Sequence, residues 1–346
     1  MQEPAHKIFI HKFLDWNKVQ DRLSRYKNIA NHYDIKYLKE CSDKPPYYCH
    51  YLAWRLGTWE IESLFQFLDD LLALGSSLTN WKGNKNLLES CNFDDFWGLV
   101  WQLQMAKFFS TKNDVRVEWL DSGPDLKIVT KEGDIFIECY TYRKSFGIEE
   151  FIGEIFRHIH PNITVHHTRY IKFSLPKNSN LESFLNDIFV HYTDTEFLQA
   201  KVKEAEREWP VILPVPSGTD NLYIYLEGDD PDNYVAGTNA SGDPENYLNI
   251  SIREALNNKK LSNNLKNSHP NIFAVNFLLG GDFQTAYDQQ LYLDNPVPLL
   301  LPDNHPYDAV FLSVCGIDEI PTFEKSSKKS FLWIKPSLTH PIERIL

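Results

Sequence analysis

No run of about eighteen or more apolar residues occurs in this chain, and its opening Met1-Gln2-Glu3-Pro4-Ala5-His6-Lys7 lacks a basic-then-apolar pattern. Neither a membrane-spanning helix nor a secretory leader is indicated, so the expected location is cytoplasmic. Cysteine is scarce: five residues, Cys41, Cys49, Cys91, Cys139 and Cys315, with no CxxC pair. An odd, scattered set argues against a disulfide framework and against a cysteine zinc site, and reduced thiols are expected. HExxH, GxSxG, GxxxxGK[ST] and GxGxxG are also missing, which disfavours zinc proteases, serine hydrolases, P-loop enzymes and dinucleotide binders. His158, His160, His166 and His167 cluster in sequence without the spacing of zinc ligands on a helix, and read as imidazoles around a helix C-terminus.

A basic surplus is lacking too. The chain has 35 Lys and Arg against 47 Asp and Glu, a net charge of -12, whereas polyanions are bound mainly through cations. The imbalance is local. Residues 181–250 hold three basic residues, Lys201, Lys203 and Arg207, against fourteen acidic ones, and the remainder holds 32 and 33. This acidic region can face away from a nucleic-acid channel, meet a protein partner, or serve solubility.

What is present is a core. Hydrophobic residues make up 42% and aromatics 14% of the 346 residues, enough for an elaborated domain or two modest ones. Residues 1–90 read as a helical region, from the amphipathic stretch Trp16 to Tyr37 to a second at Trp59 to Leu74, with Pro45-Pro46 between them. Residues 91–215 read as an α/β core. Residues 216–346 read as a C-terminal α/β region extending it, with helical spacing from Ile250 to Leu265 and buried-strand runs at Asn271 to Gly280 and Ala309 to Val314.

The most specific pattern lies in 91–215. Asn92 and Asp95 resemble a capping box, and Phe96, Leu99, Val100, Leu103 and Ala106 follow at helical spacing. Next come two short β-rich runs between Val117 and Tyr140, broken at Asp121 to Pro124 and at Lys131 to Asp134. They place Asp125 at the start of one strand and Glu138 near the end of the next. Two carboxylates meeting across a ladder repel unless a proton or a cation lies between them, which points to a hard divalent ion. Ile148 to Ile159 has the apolar stripe of a second helix, and Ile171 to Leu175 the run of a further strand.

Pro124-Asp125, a hairpin, then Glu138-Cys139-Tyr140 resembles the signature of the restriction-endonuclease-like superfamily: Pro-Asp, a hairpin, then Asp or Glu, any residue, and Lys. The resemblance implies a mixed sheet flanked by helices, with Asp125 and Glu138 ligating Mg2+ or Mn2+. It also implies an endonuclease hydrolysing DNA phosphodiester bonds, with RNA left open as a substrate. Tyr140 stands where the lysine is expected, and a phenol brings no positive charge at neutral pH. Lys127, on the Asp125 face of its strand, is the first substitute, followed by Lys144 and Lys172. The leading helix, which in that family often carries a further glutamate, offers Asp94, Asp95, Gln102 and Gln104. The two glutamines read first as solvent-facing, with hydrogen bonding to a metal-bound water as the alternative. The other functional reading is a nuclease-fold protein without catalysis, acting as a binding or interaction module.

Overall fold

The structure, a computed structural model, describes residues 14–43, 49–58, 61–81, 93–142, 164–167, 211–213, 224–227, 263–266, 269–279, 305–316 and 330–334, with single positions at 196, 200, 203, 204 and 256. Helices come first: α1 (Trp16–Leu23), α2 (Lys27–His32), α3 (Ile35–Cys41), α4 (Tyr51–Gly57), α5 (Glu62–Ser77) and α6 (Phe93–Ser110). The stretch Trp16 to Tyr37 is thus three short helices rather than one, because aspartates cap new starts. Asp15 Oδ1 accepts from the N–H groups of Asn17 and Lys18 at 2.9 and 3.2 Å, and Asp34 Oδ1 from that of Tyr37 at 2.7 Å. For α2 the acceptor comes from another helix: buried Asp69 of α5 takes the N–H groups of Asn28 and Ile29 at 2.7 and 2.8 Å.

Strands follow: β1 (Arg116–Trp119), β2 (Leu126–Thr130), β3 (Gly133–Tyr142), β4 (Thr164–His167), β5 (Val211–Leu213), β6 (Ile224–Glu227), β7 (Asn271–Leu279), β8 (Ala309–Gly316) and β9 (Ser330–Ile334). Six form one mixed sheet in the order β1-β2-β3-β7-β8-β9. β1, β2 and β3 run antiparallel in turn, β3, β7 and β8 are parallel, and β9 returns antiparallel. The strand beside β3 is therefore β7, far along the chain; Ile171 to Leu175, read as the next strand, lies outside the described residues, as does Ile148 to Ile159. A separate three-stranded sheet, ordered β4-β6-β5, comes from the sequence between β3 and β7. Apart from β5, β6 and four exposed positions, the acidic region 181–250 lies outside the described residues.

α6 organises the core. Its buried residues, among them Phe96, Trp97, Leu99, Val100, Trp101, Leu103, Met105 and Phe109, point all round the helix, as expected of one covered on every side until its last turn, where Lys107 and Ser110 are exposed. Towards the helical region Leu103 lies near Gly75 of α5. Towards the sheet, Trp101 Nε1 donates to the Ala274 carbonyl of β7 at 2.9 Å and its ring stacks on Phe311 of β8. The N-terminal helices, α6 and the sheet share one apolar cluster from Leu14 to Phe311. Among the described residues no helix is long and apolar enough to cross a membrane.

One cysteine departs from the expected chemistry. Cys41, fully buried at the end of α3, is disulfide-bonded, whereas Cys49 and Cys139 are buried free thiols. An odd cysteine count leaves room for a single cross-link beside free thiols, and parity excludes only complete pairing.

Candidate functional site

The β2–β3 register brings the two acids together. Leu126 opposes Ile137, so one residue earlier Asp125 lies beside Glu138 on the antiparallel ladder. The Asp125 N–H donates to the Ile137 carbonyl at 3.0 Å, and the Asp125 carbonyl accepts from Leu120 at 3.0 Å, which fixes this backbone from both sides. Gly123, at φ +85°, turns the chain into Pro124 in a region L residues rarely adopt.

Each carboxylate is held by neighbours. Gln102 Nε2 of α6 donates to Asp125 Oδ1 at 2.8 Å, and the Cys139 N–H donates to Oδ2 at 2.7 Å. Asn264 Nδ2 donates to Glu138 Oε1 at 2.9 Å. Glu138 Oε2 is buried and, among the described residues, has no hydrogen-bond partner. A carboxylate oxygen so placed carries a desolvation cost that a proton or a cation relieves.

Electrostatics agree with the geometry. Burial raises the Asp125 carboxyl from 3.8 to about 7, against the Cys139 N–H, which lowers it. Burial and then the Asp125 charge raise Glu138 from 4.5 to about 8, against the Asn264 hydrogen bond. Two such carboxyls near neutral pH share protons unless a cation replaces them. Tyr307, fully buried just before β8, feels the same pair: burial, then Glu138 and Asp125, pushes its phenol upward, and among the described residues its hydroxyl has no partner. Burial and both acids likewise raise the Cys139 thiol.

Of the residues expected at the site, Asp125 and Glu138 converge. Tyr140 is two residues beyond Glu138 on the same face of β3, and its ring stacks at 6.1 Å on Phe273, which stacks at 4.7 Å on Tyr307. Lys127 goes elsewhere: its Nζ lies 2.8 Å from Asp134 and 3.8 Å from Glu118. Those acids flank Lys127 across the ladder, Glu118 directly opposite on β1, and they capture the ammonium. Lys144 and Lys172 lie outside the described residues. Gln102 and Gln104 do not face solvent; both are buried, because α6 is covered all round at this level, and among the described residues Gln104 has neither amide atom bonded.

Asn264 and Lys266 were not anticipated. The helical spacing through Leu265 ends instead in a turn at Asn263 and Asn264, and the paired asparagines are the sequence signal for it. Among the described residues no group of three or more His, Cys, Asp or Glu side chains converges as a metal cage. Compared with protein-family models, with curated proteins and with solved structures, the chain matches none.

Proposed function

We propose that this chain is a metal-dependent nuclease that hydrolyses DNA phosphodiester bonds on a restriction-endonuclease-like core. The observation that carries the reading is the Asp125–Glu138 pair, side by side in register on an antiparallel hairpin, with Asp125 held by Gln102 of α6 and Glu138 Oε2 buried and, among the described residues, without a hydrogen-bond partner. The mixed order, three antiparallel strands continued by parallel β7 and β8, supports the core assignment.

The donor set fits a hard divalent cation such as Mg2+ or Mn2+. All contributing atoms are carboxylate oxygens, and each Asp125 oxygen keeps a lone pair beyond its one hydrogen bond. Asp125 and Glu138 would hold the ion, which supplies Lewis acidity and neutralises charge on the phosphate. The chain's own residues do the arranging. Gln102 and the Cys139 N–H orient Asp125, Asn264 directs Glu138 by holding Oε1, and the low-dielectric wall strengthens any charge interaction made there. Purified protein with Mg2+ or Mn2+ should cut plasmid DNA, and Asp125→Ala should not; cutting that persists in the variant removes the assignment.

A second reading is a binding module on the same scaffold. Its support is Tyr140, which places no cation after Glu138, and Gln102, which places an amide where a further acid would complete the metal site. Under that reading the divalent ion fails to bind and the acid pair stays protonated.

A further inference from the structure

We infer that Lys266 supplies the cation that Tyr140 lacks, contacting the phosphate brought to the Asp125–Glu138 pair; this rests on the nuclease reading. The segment carrying Lys266 is tied to the site at its other end, because Asn264, two residues earlier, donates to Glu138 Oε1 at 2.9 Å. It leads into β7, the parallel neighbour of β3, in which Phe273 is paired with Glu138. A lysine on this segment therefore approaches the hairpin from the side of the adjoining strand rather than from β3.

The Lys266 backbone is clamped while its side chain is exposed. Its N–H donates to Asn271 Oδ1 at 2.9 Å, and its carbonyl accepts from Asn271 Nδ2 at 3.0 Å and from the His269 N–H at 3.1 Å. Asn271 is itself fixed by Asp308, whose Oδ2 accepts its N–H at 2.8 Å. From this base the ammonium lies over the turn that presents Asp125: Lys266 Nζ is 3.2 Å from where a Cβ on Gly123 would stand. Gly123 thus leaves room for the ammonium two residues before the metal-site aspartate. Other hairpin lysines are neutralised, Lys127 by Asp134 and Lys131 by Asp114 at 2.7 Å. Among the described residues no carboxylate forms an ion pair with Lys266. A lysine with a held backbone and an ammonium that no described carboxylate pairs suits capture of a phosphate.

The test compares wild-type protein with Lys266→Ala, Lys266→Arg and, as a control, Lys127→Ala. Plasmid cutting is followed with Mg2+, and binding of a short blunt duplex across a salt series with Ca2+ replacing Mg2+. Lys266→Ala should lower kcat about 100-fold and flatten the slope of log affinity against log salt by about 0.9, the loss of one phosphate contact. Lys266→Arg should restore most of the slope, Mg2+ affinity should be unchanged in both, and Lys127→Ala should behave as wild type. If wild-type protein cuts and Lys266→Ala cuts equally well with an unaltered slope, the assignment of Lys266 fails and the nuclease reading stands. If wild-type protein neither cuts nor binds the duplex, both fail.

Discussion

Gln102 of α6 donates to Asp125 Oδ1 at 2.8 Å, so the buried helix and the hairpin meet at one of the two carboxylates of the site. An amide there satisfies Asp125 without adding charge. Gln102→Glu would put a third carboxylate at that contact. Without metal this should lower stability at pH 8 by about 1–3 kcal/mol, the cost of an unsatisfied buried polar group or more, while tightening Mg2+ binding. Thermal melts with and without Mg2+ check it: a variant equally destabilised in both would show that Gln102 does not face a cation site.

The raised carboxyls make stability depend on pH in a stated direction. Asp125 moves from 3.8 to about 7 and Glu138 from 4.5 to about 8 on folding. The folded state holds protons that the unfolded state has released, so the contribution of these two groups to metal-free stability is fullest below about pH 4 and declines as pH rises to about 8. The decline should be a few kcal/mol in order of magnitude, and Asp125→Asn with Glu138→Gln should flatten it. Mg2+ should restore stability at pH 8 and do little at pH 5. Urea denaturation across that range tests this, and metal-free stability that rises with pH would contradict it.

Much of this arrangement was legible in the sequence, and the rest failed for identifiable reasons. The hairpin and the strands at Asn271 and Ala309 were visible because apolar runs ended in turn residues. Amphipathic reasoning turns Gln102 to solvent, whereas α6 is buried all round at that level. Strand parity points Lys127 toward the site but is blind to Glu118 and Asp134 competing for the ammonium. Asn264 and Lys266 were invisible because their approach depends on β7 pairing with β3 across more than a hundred residues. The disulfide at Cys41 was hidden by reasoning from cysteine number alone.

Lys127→Ala should leave DNA cutting unchanged and cost less than about 1 kcal/mol, since it removes a partly exposed ion pair with Asp134. A large loss of activity with normal stability would return Lys127 to the site.

Asp69 offers a contrast among buried acids. Its Oδ1 accepts from Asn28 and Ile29 and its Oδ2 from Asn28 Nδ2 at 2.7 Å, so hydrogen-bond donors compensate its burial. Asp69→Ala should destabilise by about 2 kcal/mol with no response to Mg2+, because it uncaps α2. Recovery on adding Mg2+ would mean that the ion binds away from the hairpin.

Calorimetric titration of Mg2+ and Mn2+ at pH 8 decides whether Asp125 and Glu138 form a divalent-cation site. Wild-type protein should bind one ion, with binding abolished in Glu138→Ala and in Asp125→Ala while both variants remain folded. Absence of binding by wild-type protein, or binding that survives in either variant, would contradict the account.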